Sequence, residues 1–309
     1  MAWSAPASLA SLVGVLSQAT TGLLARHDYD NSAYSFKLAD WDVPADLTKA
    51  LSSDALRLTV AVTSPRCTRY NALSVRTTTF VQAVVRAVTV TSQNLQFGPA
   101  LHVEADAAIN DNVATFFSVA RTLGERITLR EIINDVITGQ DGYDTSARTT
   151  AQDYRIGLHV SDSRASAYDH TSNITPKLLP STLTNGRSGV FMQAAGGAPG
   201  VCDVRRFYVM RNRYLVVGGL VSGQYVEVRD ASASLASVTA SGSTASVDML
   251  FVPVPATTVR VCSSAGAVLA NISPGNGVWG ADEYAYSQTV LPIPSWITAA
   301  PPTTSWSTL

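Results

Sequence analysis

The sequence predicts an all-β protein of antiparallel sheets, and three observations carry that expectation. Apolar and polar residues alternate with period two over much of the chain, turn-forming Gly, Asn, Asp and Pro separate the runs, and helical periodicity is almost absent between them. Parallel pairing would need crossover helices, so neighbouring strands must be joined by hairpins and sheet-to-sheet loops. At 309 residues, with 46% apolar residues, the chain can bury a large core without disulfide help. The charged fraction is 15% and the formal net charge −1, which gives no electrostatic reason to expect nucleic acid or an anionic membrane as partner.

Taken in order, residues 1–27 read as a docking segment. Leu9, Leu12, Leu16 and Leu23 fall at roughly helical spacing, with Pro6 suited to a first turn and Gly22 to a stop, so a short amphipathic helix is expected over 8–24. It would lie on its own domain or dock on a neighbouring subunit through Leu12 and Leu16. The first positive charge is Arg26, so no secretory leader is expected, and synthesis in a reducing cytoplasm follows. Cys67, Cys202 and Cys262 are far apart and odd in number, which predicts buried free thiols.

From Leu56 the period changes to two. Leu56, Leu58, Val60 and Val62 alternate with Arg57, Thr59, Ala61 and Thr63, the mark of a half-buried strand. Similar runs cover 70–76, 80–90, 100–104, 113–119, 126–132, 154–160, 165–169, 188–193 and 205–210, which fits one two-sheet sandwich over 28–212. Beyond Asn212 the strands shorten and small residues multiply, at 214–217, 225–230, 235–239, 245–249, 257–262 and 268–272. A second, smaller sandwich is expected over 213–287, with a hairpin turn at Ser263-Ser-Ala-Gly266. Residues 288–309 carry Pro292, Pro294, Pro301 and Pro302 and should run extended. Trp296 and Trp306 are costly to leave in water, so this tail is expected either on its own domain or as a strap on a neighbouring chain.

Asn71-Ala-Leu-Ser-Val75, Gln96-Phe-Gly-Pro-Ala-Leu-His-Val103, Tyr154-Arg-Ile-Gly-Leu-His-Val160 and Gly186-Arg-Ser-Gly-Val-Phe-Met192 succeed one another along the chain. In that order the block from about Asp28 to Met210 resembles laminin-G-like, concanavalin-like jelly rolls. The segment from Val217 to Tyr284 resembles a small β domain of modular surface and tailed-phage virion proteins. The resemblance implies an accessory or receptor-binding virion protein of a tailed phage. Such a protein would be non-enzymatic, homo-oligomeric and in contact with other virion subunits, with a cell-surface glycan as the outward ligand. A bacterial carbohydrate-binding module or adhesin is the alternative, and a jelly-roll glycan hydrolase or lyase the second.

Hydrolysis on this architecture uses carboxylates alternating on one strand to flank a sugar bond; Glu104 and Asp106 supply half of that arrangement, and Ala107, Ala108, Ile109 and Asn110 follow where the second catalytic carboxylate is expected. The four histidines show no HExxH pairing. The resemblance implies calcium at a loop rim as the one metal to consider. Asp28 and Asp30, Asp111, and Asp141 with Asp144 are the candidate ligands, each also explained by ordinary turn chemistry. For sugar stacking, Tyr70, Tyr143 and Tyr168 are the aromatic candidates beside loops. Arg205, Arg206, Arg211 and Arg213 form the densest basic patch; strand alternation would split it between faces, and a salt-bridged junction between the two sandwiches is the expected role.

Overall fold

The computed structural model describes residues 12–20, 23–76, 79–90, 94–104, 112–119, 125–145, 149–161, 164–195, 199–253, 258–272 and 283–290. Its described residues are overwhelmingly β, with three short 3-10 turns at Ser32–Tyr34, Leu38–Asp40 and Met249–Phe251. Among the described residues no helix is long and apolar enough to cross a membrane.

Two large sheets form a jelly-roll sandwich. The seven-stranded sheet runs in the order Val136–Thr145, Glu125–Ile133, Asn112–Val119, Asn94–Val103, Arg187–Ala195, Arg66–Tyr70, Trp41–Asp42. The eight-stranded sheet runs Ile174–Pro180, Arg164–Asp169, Asp153–Ser161, Thr79–Val90, Gly200–Met210, Ala55–Val60, Leu47–Ser52. Its eighth strand, Leu23–Asp28, pairs with the second half of Gly200–Met210. Alternation decides what faces inward. Val81, Ala83 and Val85 of one central strand and Tyr154, Ile156 and Leu158 of its neighbour enter the core, where they meet Leu95, Phe97, Val190 and Met192 of the facing sheet. The intervening residues of those strands face outward.

Two four-stranded sheets make the smaller sandwich: Ser234–Thr239, Tyr225–Arg229, Thr258–Cys262, Val268–Ile272 on one side, and Leu12–Thr20, Glu283–Val290, Tyr214–Gly218, Thr244–Asp248 on the other. Leu215, Val217, Ala245 and Val247 pack on Val226, Val228, Val259 and Val261 between them. The hairpin at Ser263–Gly266 closes as expected, with Gly266 at φ +87° and its N–H donating to the Ser263 carbonyl over 2.9 Å.

The smaller sandwich is seated on the outer face of the eight-stranded sheet. Phe80, Tyr208 and Met210 point outward from that sheet and join the smaller core. Gln82, fully buried between them, donates from Nε2 to the carbonyls of Met249 (2.9 Å) and Val252 (2.8 Å). Gly157 lets the Leu250 side chain approach closely, since a Cβ on it would lie 3.1 Å from Leu250 Cδ1. Arg213 completes the junction with a bidentate pair to Asp248 (2.8 and 2.6 Å) and a bond to Ser166 Oγ (3.1 Å), the role expected for it.

Three expectations need correction. Residues 12–20 form a strand paired with Glu283–Val290 of the same chain, not a helix; Leu12 lies opposite Val290 and Leu16 opposite Tyr286. Long-range pairing there outweighs a helical spacing that β-branched Val13 and Val15 support poorly. The run at 70–76 is not a strand, because the strand ends at Tyr70 and the chain turns. Residues 288–290 belong to the last strand rather than to the tail, and Trp296 and Trp306 lie outside the described residues. The three cysteines are free and buried, as read from the sequence.

Candidate functional site

The strand Gly200–Met210 contains the decisive irregularity. Val204 and Phe207 both enter the main core, three residues apart, where strict alternation would allow two or four. The pairing with Thr79–Val90 slips at the same place, with Val204 opposite Val85 and Arg206 opposite Val84. This is a β-bulge at Arg205, and it turns Arg205 and Arg206 to the same outer face. The expectation that alternation splits this basic pair is therefore wrong. Both guanidinium groups lie against the Tyr29 ring, at 3.6 Å and 5.9 Å from its centroid.

Register then assembles a row across the sheet. Arg155 lies opposite Val84, Val84 opposite Arg206, and Arg206 opposite Asp28. On the far side the His170 N–H donates to the Arg155 carbonyl over 3.0 Å, and Thr171 Oγ1 accepts the Arg155 N–H over 3.0 Å. Because Val84 is short, two long arginines standing on either side of it leave a hollow of about 370 Å³, walled by Tyr29, Asp153, Arg155, His170, Thr171 and Arg206 with Val84 at its floor.

Most charges around the hollow are satisfied. Asp153 is held by Arg86 (2.6 Å) and Arg205 (2.9 Å). Asp28 Oδ2 accepts Arg26 (2.7 Å), its Oδ1 accepts the Tyr208 hydroxyl (2.7 Å), and Arg206 Nε lies 2.8 Å from Oδ1. Arg206 also reaches Asp30 over 2.6 Å. Burial, the Asp28 charge and the bond to Asp28 push the Tyr208 phenol up, so it remains a donor. Arg155 is the exception. No carboxylate lies within ion-pair distance of it among the described residues, and its Nε is buried without a hydrogen-bond partner. Burial first, and the facing Arg206 second, hold its pKa below the usual guanidinium range. His170 Nε2 is likewise buried and unpartnered, and burial with the neighbouring Arg155 lowers that imidazole to about 3, so it is neutral near pH 7.

The tyrosines read from the sequence do not form this site. Tyr70 is only 6% exposed and packs among His27, Trp41 and Phe207, with burial and Asp40 pushing its phenol up to about 12; it is a core residue, not a sugar platform. Tyr168 is committed to the junction, its ring edge-on to Phe251 and to His170 at 4.9 Å each. Tyr143 lies opposite Ile127 in a strand, and its side chain is outside the described part.

The calcium candidates fare similarly. Asp28 is buried and Asp30 ion-paired, both spent on arginine rather than exposed as rim ligands. Asn31 caps the turn after them through the Ala33 N–H. Asp141 accepts the Gly142 N–H, Asp144 lies opposite Arg126 in strand pairing, and Asp111 is outside the described residues. Among the described residues no group of three His, Cys, Asp or Glu side chains could hold a metal. Glu104 is half-buried just after the strand Asn94–Val103, and Asp106 lies outside the described part.

Tyr29, Arg155, His170 and Thr171 were not singled out by the sequence. One signal was present: Val204-Arg-Arg-Phe207 breaks the alternation by one residue, which is how a bulge is written in sequence.

No protein-family model matches the chain, and no curated protein matches it. Among solved structures it is similar to the carbohydrate-binding module CBM66 from Bacillus subtilis, with 10% identity and a TM-score of 0.42 over 54% of this chain and 94% of that one. It is also similar to a protein of unknown function with a galectin-like fold from Bacillus subtilis (14% identity, TM-score 0.41, 64% and 98% covered). A third similar structure is a native glycosidic hydrolase (9%, 0.43, 65% and 96%). The jelly-roll architecture of this chain rests on its own strand order.

Proposed function

We propose that this protein is a non-catalytic recognition protein that binds a glycan in the hollow on the outer face of its eight-stranded sheet. The observation that carries the reading is a pair of unclaimed polar groups, Arg155 Nε and His170 Nε2, beside an aromatic wall supplied by Tyr29. A sugar ring presents an apolar face and a rim of hydroxyls, which is the complement of such a lining. A non-enzymatic role is supported by the carboxylate content of the walls. Asp153 is the carboxylate among the lining residues, and two arginines hold it, whereas glycoside hydrolysis needs a pair of carboxylates on opposite sides of the bond.

The setting we propose is a virion accessory protein of a tailed phage, assembled with other virion subunits and with copies of itself; a bacterial surface module or adhesin is the alternative. Self-assembly is supported by the sheet order of the smaller sandwich, which puts Leu12–Thr20 at an edge with one side unpaired among the described strands. Mass spectrometry of purified particles against host envelope fractions separates the two settings.

A glycan array probed with the full chain tests the binding reading. Binding that is lost in Tyr29→Ala, with no release of reducing sugar from any bound glycan, is the expected result. Turnover of a bound glycan, or an array with no signal, would refute it.

A further inference from the structure

We propose that the ligand of this hollow is an acidic sugar residue whose carboxylate is held by Arg155 with Arg206 facing it; this rests on the glycan-binding reading above. The inference starts from charge. Arg26, Arg86, Arg155, Arg205 and Arg206 surround the hollow and its margin, against Asp28, Asp30 and Asp153. Each aspartate is engaged by at least one of the other arginines, and Arg155 is left over. Asp153 acts on Arg155 from a distance but is already held by Arg86 and Arg205, so this part-buried cation has no carboxylate within ion-pair distance among the described residues, and leaving a cation so placed is costly.

Geometry says where the counter-charge goes. Arg155 and Arg206 stand at one register level with the Val84 strand between them, so their Cα atoms are about 10 Å apart at ordinary strand spacing. Arg206 is held by Asp28 and Asp30, whereas the Arg155 fork pairs with no carboxylate among the described residues, and a carboxylate matches a guanidinium in a bidentate way. The remaining polar groups suit the rest of a sugar. His170 Nε2 and the Thr171 hydroxyl line the same hollow, and neither is charged near pH 7, so they favour hydroxyl groups over a second anion. The lowered pKa of Arg155 agrees with a site short of one negative charge. The size of the hollow, about 370 Å³, fits a small ligand or the end of a chain.

The test is isothermal titration of the full chain with four probes: an oligosaccharide ending in glucuronic acid, its neutral glucose counterpart, its sulfated glucose counterpart, and sodium acetate. The acidic sugar should bind at least about tenfold more tightly than the neutral one. Arg155→Gln should remove that preference, and Arg155→Lys should restore only part of it, because lysine keeps the charge and loses the fork. Thermal melts of both variants, expected at or above the parent value, show that loss of binding is not loss of fold. Equal affinity for acidic and neutral sugars, or an unaltered preference in Arg155→Gln, overturns the carboxylate assignment and leaves glycan binding standing. A preference for the sulfated sugar also overturns it. Binding of acetate with none of the sugars overturns the glycan reading while leaving the anion site.

Discussion

Replacing Gln82 by leucine keeps the bulk of the side chain and removes the two donors that bind the smaller sandwich to the sheet. The consequence can be worked from the partners. The Met249 carbonyl retains a second donor, the Val252 N–H at 3.2 Å, so its loss is one bond of about 1 kcal/mol. For the Val252 carbonyl the Gln82 bond is the one seen in the structure, and leaving a buried acceptor unpaired costs roughly 1–3 kcal/mol. The sum, about 3 kcal/mol, corresponds to roughly two powers of ten in the equilibrium between the docked and undocked smaller sandwich. Hydrogen exchange reads this directly. Amides of Tyr214–Gly218 and Thr244–Asp248 should exchange about a hundredfold faster in Gln82→Leu, while those of Asn94–Val103 in the opposite sheet stay unchanged. Uniform acceleration across the whole chain, or none, would refute the idea that this side chain acts at the junction.

Three further outcomes follow from buried groups. Gly189→Ala places a Cβ 1.9 Å from the Thr68 carbonyl oxygen in a central strand pair, so this variant should be recovered largely insoluble or with a much lowered melting temperature. Glu131 is desolvated, which alone would raise its pKa, but bonds from Thr138, the Thr182 N–H, Ser181 and the Leu183 N–H lower it on balance. A carboxylate with a depressed folded pKa stabilises above its unfolded value and loses that contribution as pH falls through the folded one. Acid titration of stability should therefore be less steep below about pH 4.5 in Glu131→Gln than in the parent. His170 is held neutral by burial and by Arg155, so its NMR shifts should stay flat from pH 8 down to about 4. Its lowered folded pKa also means that stability is complete above about 6.5 and declines toward 3, a slope absent from His170→Gln.

Where alternation is regular, as in Leu56-Arg-Leu-Thr-Val60 or Tyr154-Arg-Ile-Gly-Leu-His-Val160, the sequence specifies strand, face and core together, because one period satisfies both pairing and burial. The smaller sandwich was legible for the same reason, from Tyr214 through Ile272. The strand Leu12–Thr20 was not. Its leucines suit a helix locally, and the partner that decides the matter, Glu283–Val290, lies at the other end of the chain. The site was hidden by a similar non-locality. Arg155 and Arg206 are 51 residues apart and share one register level because both pair with Val84, and the same face receives Arg205 only through the bulge. Tyr70 and Tyr168 sat beside loops in the sequence and still turned into packed interfaces, since nothing local says which loop another element will cover.

The most direct test of the account is a crystal of the full chain soaked with glucuronic acid. The account predicts the sugar carboxylate within about 3 Å of the Arg155 guanidinium, with Arg206 on its far side and the ring against Tyr29. An empty hollow with the sugar bound at a loop rim or on the inner face of another sheet would contradict it.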